Sequence, residues 1–292
     1  MTDLDAGRRE IVDDLVRALA AIDGVRAVAL GGSRTRGRAR PESDVDLGIY
    51  YSETAPFEIG RIREVAQQRN DTPRPVVTGF YEWGRWVNGG AWLTIRGQRV
   101  DLLYRSLEHL ERTLAEAQAG RYEIDWAQQP PFGFFGPTYL GELAIAVPLH
   151  DPERRLAALK ERATAYPEAL RRSVIQDSLW SVEFGLRAFA RKLAAAGDTY
   201  GTVGCLTRFA HRLVLALFAL NRAHLLNDKT ALAELEGFAV VPREFARRVQ
   251  AVLASAGASP DRLAASVSAF DELFRETAAL CGDLYRSRAL PG

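Results

Sequence analysis

The chain of 292 residues contains only two cysteines, one methionine, three lysines and four histidines. Each scarcity removes a class of explanation. Cys205 and Cys281 lie far apart with no CxxC spacing, so neither a disulfide framework nor a thiolate metal site is expected. They read as small apolar groups in a reducing compartment. His109, His150, His211 and His224 have no partner at metal-ligand spacing and receive no role. No run reaches the ~18 consecutive apolar residues of a membrane span. The opening MTDLDAGRREIVDDL is charged and lacks the apolar core of a signal peptide, so a cytoplasmic setting is expected. Excess charge is missing too. The net is +1, from 38 basic and 37 acidic residues, which argues against a protein whose task is to coat nucleic acid.

What is present is an ample core: 47% of the residues are hydrophobic. Residues 7–22 carry Ile11, Leu15, Leu19 and Ile22 on one helical stripe, stopped by Gly24. VRAVAL (25–30) and DVDLGIYY (44–51) read as strands, and residues 57–68 as a helix. AWLTIRG and QRVDLLYR, meeting at Gly97, suggest a hairpin. Ser106 and Gly120 bracket another helix. The Pro/Gly/aromatic stretch 127–137 (AQQPPFGFFGP) is read as a linker. Beyond it the period is helical throughout, with candidates near 153–166, 168–196, 203–226, 229–236, 243–256 and 261–287. The expected organisation is α+β: residues 1–126 a small mixed sheet flanked by helices, 138–292 an all-α bundle.

The chemistry concentrates in GGSRTRGRARPESDVDLGIYY (31–51). Asp44 and Asp46 are two apart in a strand, so they share a face, while Val45 and Leu47 point the other way. Two carboxylates on one face repel, and burying them unpaired costs several kcal/mol. A divalent cation resolves the conflict; magnesium commonly joins one or two carboxylates to substrate phosphates. Asp101, between Val100 and Leu102, is a third acid in a strand pattern. If its strand neighbours 44–51, three carboxylates converge, enough for two cations ~3.5–4 Å apart. Gly31 and Gly32 allow backbone N–H groups close to a phosphate, Ser33 adds a hydroxyl, and Arg34 and Arg36 follow.

Gly32-Ser33, a ten-residue spacer and Asp44-Val45-Asp46-Leu47 resemble the signature of the DNA-polymerase-β-like nucleotidyltransferase superfamily. The resemblance spans residues 25–105. It implies a magnesium–nucleotide site and transfer of a nucleoside monophosphate, AMP if the donor is ATP, with release of pyrophosphate. By it, Gly32 and Ser33 hold the triphosphate, Asp44 and Asp46 the metals, and Asp101 one metal and the acceptor hydroxyl.

A helical second half resembles the antibiotic nucleotidyltransferases acting on aminoglycosides and lincosamides. In that resemblance a lysine after a turn contacts the triphosphate, and Lys229 in LALFALNRAHLLNDKTALAEL occupies the matching place. Glu142, in TYLGELAIAVPLHD, is a candidate second general base beside Asp101, or a carboxylate satisfied by an arginine. Trp83, Trp86 and Trp92 cluster with Asn88, Gly89 and Gly90 in a loop expected near the site, Trp92 leaning most toward core packing. Residues 151–292 carry 20 basic and 16 acidic residues, a net of +4, which weakens a polycationic acceptor. The expected partner is a small-molecule hydroxyl. Two other readings stay open: an enzyme of toxin–antitoxin type acting on tRNA or a protein side chain, and a non-catalytic nucleotide sensor.

Overall fold

A computed structural model describes residues 4–37, 40 and 43–288. The architecture is α+β. Contacts divide the chain into two compact units: Met1–Ala115 with Glu123–Ala165, and Glu116–Tyr122 with Tyr166–Gly292.

The first unit is built on a six-stranded mixed sheet in the order β3-β4-β5-β2-β1-β8. Its strands are β1 (Val25–Leu30), β2 (Val45–Tyr51), β3 (Val76–Val77), β4 (Gly90–Ile95), β5 (Gln98–Ser106) and β8 (Val147–His150). β2 and β5 run parallel and the other pairs antiparallel. The β4–β5 hairpin turns through Arg96 and Gly97, both at positive φ (51° and 74°), the geometry that a two-residue turn matched to strand twist requires. Helices α1 (Ala6–Ala20), α2 (Ile59–Arg69) and α3 (Leu107–Gln118) accompany this sheet. Asp5 caps α1 by accepting from the Arg8 amide at 2.8 Å. Leu15 and Leu19 of α1 are fully buried in the same core as Val45, Leu47, Ile49, Val100 and Leu102. Each such side chain contributes about 1.5–3 kcal/mol on leaving water.

The stretch expected to be a linker lies inside this unit. Within it Phe134–Phe135 (β7) pairs with Ile124–Asp125 (β6). The chain then forms α4 (Thr138–Ile145), returns to the sheet as β8 beside β1, and continues into α5 (Arg155–Thr164). The helical region therefore begins later than position 138. β8 is four residues long and contains Pro148, too short and irregular to display a period of two.

The second unit is helical: α6 (Glu168–Gly185), α7 (Arg191–Ala195), α8 (Thr199–Leu220), α9 (Ala231–Leu235), α10 (Phe245–Ala254) and α11 (Pro260–Cys281). A π-helical turn, Leu186–Ala190, joins α6 to α7 in the place of one long helix. Ser259 caps α11, with Pro260 in its first turn. α8 is long and apolar enough to cross a bilayer by length and composition, and 72% of that window is buried within the protein.

Candidate active site

Strand alternation writes two different faces on the same sheet. On β2 and β5 the residues Val45, Leu47, Ile49, Val100, Leu102 and Tyr104 are fully buried. The alternate residues lie on the opposite face. There Asp46 pairs in register with Asp101 across the parallel β2–β5 ladder, and Asp44 precedes Asp46 by two. Directly paired residues share a face, so the three acids stand together as expected.

Their electrostatics show the cost of that arrangement. Burial lifts the Asp46 carboxyl to about 6, and the neighbouring Asp44 and Glu142 add to the rise. Burial, then Asp46 and Asp44, lifts Asp101 to about 6. Arg34 and Arg105 pull Asp46 the other way, and Arg99 does so for Asp101. Asp44 meets Arg99 directly, with its Oδ1 2.6 Å from the Arg99 Nε. Among the described residues no three of His, Cys, Asp and Glu stand at metal-ligating distances. The donor set nonetheless suits a hard divalent cation: carboxylate oxygens only, two of them disfavouring simultaneous charge. Asp44 would have to leave Arg99 to join it.

The glycine turn closes one side of this row. The Gly31 amide donates to the Asp46 carbonyl at 2.9 Å, extending the sheet. Gly32 has φ +68°, and a Cβ there would fall 1.8 Å from Asp46 Oδ2. No other residue fits: the backbone conformation is left-handed and the carboxylate lies against the Cα. Ser33 then opens a 3₁₀ turn, Ser33–Thr35, tied back by the Thr35 hydroxyl to the Gly32 carbonyl at 2.9 Å. Arg36 ends it, partly exposed.

Arg34 behaves differently from expectation. It is buried, and its guanidinium donates to the Asp44 carbonyl at 3.1 Å and to the Ser43 carbonyl. It fastens the turn to the start of β2, and its charge acts on Asp46.

Arg105 was not singled out by sequence reasoning. It sits on the acidic face of β5, opposite Tyr50, yet is only 6% exposed. α4 covers it. Its Nη2 and Nε donate to Glu142 Oε2 at 2.9 and 3.2 Å, and its guanidinium lies 5.0 Å from the Tyr139 ring centroid. Glu142 is therefore the arginine-satisfied carboxylate of the two readings given for it. An arginine in a strand pattern was the available signal, but nothing in the sequence paired it with α4.

The tryptophans divide. Trp86 is 4% exposed, stacked on Phe134 and against His109 and Tyr139. Trp92 is 52% exposed and stacks on Trp83 at 4.5 Å and 19°. The expected order is reversed: Trp86 is the core residue and Trp92 the open one. Burial holds His109 down at about 4. Lys229 is exposed, in the second unit, just ahead of α9.

Residues 12–121 match the model of the nucleotidyltransferase domain, and residues 138–229 that of a domain of unknown function, DUF4037. No curated protein matches the sequence. A solved structure described as a nucleotidyltransferase-like protein from Exiguobacterium sibiricum 255-15 aligns over 94% of this chain and 76% of its own, at 12% identity and a TM-score of 0.47.

Proposed function

We propose that this chain, with a nucleotidyltransferase-domain match over residues 12–121, moves a nucleoside monophosphate from a magnesium-bound triphosphate such as ATP to a small-molecule hydroxyl. The observation that carries the reading is the in-register pairing of Asp46 with Asp101, with Asp44 on the same face and the Gly31–Ser33 turn alongside. When bound, two magnesium ions would polarise the α-phosphate and offset charge on the departing pyrophosphate. Asp44, Asp46 and Asp101 would hold them. The Gly32 backbone and the Ser33 hydroxyl take triphosphate oxygens, with Arg36 beside them.

The acceptor oxygen bonds to the α-phosphorus as the bond from that phosphorus to the bridging oxygen breaks, and pyrophosphate leaves. The hydroxyl proton goes to Asp101, which stands in register beside Asp46. Glu142 is the weaker candidate, because its Oε2 already accepts two bonds from Arg105. A natural-product antibiotic is one acceptor class consistent with this chemistry.

The test uses ATP labelled in its α-phosphate, magnesium, a panel of hydroxylated small molecules and total tRNA. Label should move to a small molecule with equimolar pyrophosphate, and Asp101→Asn should stop it. Label on tRNA, or none anywhere, contradicts the reading. Lys229 carries a separate expectation from the family resemblance. Lys229→Ala should weaken magnesium–ATP affinity about ten- to hundredfold, the loss of a charge-assisted contact. Lys192→Ala should leave it unchanged in the same calorimetric titration; equal affinity in both variants would remove Lys229 from nucleotide binding.

A further inference from the structure

The cross-strand row through the carboxylates continues beyond them. Asp101 of β5 pairs with Trp92 of β4, and Trp92 with Val76 of β3. On one sheet face the order is therefore Val76, Trp92, Asp101, Asp46, with Gly31 at the far end. The glycine turn flanks the acids on one side. On the other lies an apolar strip, since Val76 is 50% and Trp92 52% exposed. Directly paired residues place their Cβ atoms ~4.5–5.5 Å apart, so the Trp92 indole begins next to the Asp101 carboxylate.

The strip is built, not merely exposed. Trp83 stacks on Trp92 and also lies over Gly90, where a Cβ would come 3.1 Å from the Trp83 ring and 1.8 Å from the Leu102 carbonyl. The loop that brings Trp83 there is fixed at several points. Asn88 is 2% exposed with φ +65°, a left-handed conformation that asparagine tolerates. Its Oδ1 accepts from the Tyr81 amide at 2.9 Å, and its Nδ2 donates to the Tyr51 hydroxyl at 2.9 Å. The Trp83 amide donates to the Asn88 carbonyl at 2.8 Å, and the Trp83 carbonyl accepts from Gln128 at 2.6 Å. Two indoles stacked face to face, with Trp92 half-exposed, offer an aromatic surface at low ordering cost.

We infer that Trp83 and Trp92 form the acceptor floor of this site, and that the acceptor carries an aromatic ring near its reacting hydroxyl. The inference rests on the nucleotidyltransferase reading. A ring stacked on Trp92 sets a neighbouring hydroxyl beside Asp101, the proton acceptor, while the triphosphate occupies the glycine side. The two substrates then approach the carboxylate row from opposite ends. Asn88 ties down the loop that carries Trp83.

The test compares two probes, phenyl β-D-glucopyranoside and methyl β-D-glucopyranoside, by ligand-observed NMR titration, each with and without magnesium and the non-hydrolysable analogue AMPCPP. Wild type should bind the phenyl glucoside about tenfold more tightly than the methyl glucoside, the scale of one aromatic stack. Trp92→Ala and Trp83→Ala should each erase that preference. Trp92→Phe should keep most of it, and all three should keep AMPCPP affinity within about twofold. Equal binding of the two glucosides by wild type would overturn the inference. So would a Trp92→Ala variant that loses AMPCPP, since the indoles would then hold the nucleobase. Failure of wild type to bind magnesium–AMPCPP would strike the nucleotidyltransferase reading instead, with the glucoside comparison still read without nucleotide. A melting curve for each variant separates loss of the floor from loss of the fold.

Discussion

The two faces of the first unit's sheet are drawn from the same strands by alternate residues, yet they follow opposite rules. The core face packs Val45, Leu47, Ile49, Val100, Leu102 and Tyr104 with no exposure. It is stable and has nothing to react with. The other face sets Asp44, Asp46 and Asp101 side by side, lifts two of them toward neutrality, and leaves them reachable. Stability and chemistry are thus separated by a single-residue step along β2. A protein that needed only to fold would place apolar or well-paired residues on both faces. Under the proposed function, these repelling carboxylates are the ones that would share a divalent cation.

The sharpest way to break this comparison is to change one residue on each face. Asp46→Asn should lower transfer by at least about a thousandfold, because a ligand of the transition-state cation is lost. Its melting temperature should hold or rise. Leu47→Ala, one position along, should do the reverse. It should cost about 2–5 kcal/mol of unfolding free energy in denaturant titration, as buried leucine truncations do. The folded fraction should turn over normally. If Asp46→Asn unfolds the protein, or Leu47→Ala abolishes transfer while folded, the division between faces fails.

A smaller effect sharpens the electrostatic half of the comparison. An acid whose folded value is raised to about 6 makes its stability penalty felt as pH climbs through that value, and not below its ordinary value near 3.8. Burial of His109 and His211, each held down at about 4, works in the opposite sense over the same range. Total stability therefore hides the carboxylates, and the difference between wild type and Asp46→Asn exposes them. Without divalent cation, that difference should be near zero at pH 4 and favour the variant by about 1–3 kcal/mol at pH 8. A difference that does not change with pH contradicts the shift. Glu53, drawn down to about 2 by Arg112 and Ser106, contributes stability that is complete above its ordinary value near 4.5 and declines below it, in wild type and variant alike.

Much of this was legible beforehand, and the limits are physical. The i, i+2 parity of Asp44 and Asp46 is a local property, so the sequence shows it. Asp101 declared itself as an acid between Val100 and Leu102, but its register against Asp46 is a long-range pairing. The glycines were readable as a turn; that Gly32 must be bare because Asp46 Oδ2 lies against it was not. Arg34 followed the loop's basic run, which carries no sign that its guanidinium would be buried on backbone carbonyls. The α4 cover over Arg105 and the return of β8 to the sheet both depend on a chain reversal through 127–137 that composition presents as a linker. Tryptophan order failed for a similar reason. Position in a strand suggested core for Trp92, while the loop residue Trp86 found Phe134 and Tyr139 from distant segments.

The central claim is the proposal that the acidic face binds a divalent cation, and one measurement addresses it directly. Wild type and Asp46→Asn are melted at pH 8, first in EDTA and then in millimolar magnesium with AMPCPP. A ligand bound only by the folded form raises its melting temperature by mass action. The account predicts that Asp46→Asn is at least as stable as wild type in EDTA, and that magnesium with nucleotide raises the wild-type melting temperature by several degrees while leaving the variant unmoved. A variant less stable than wild type in EDTA, with both proteins indifferent to magnesium and nucleotide, would contradict it.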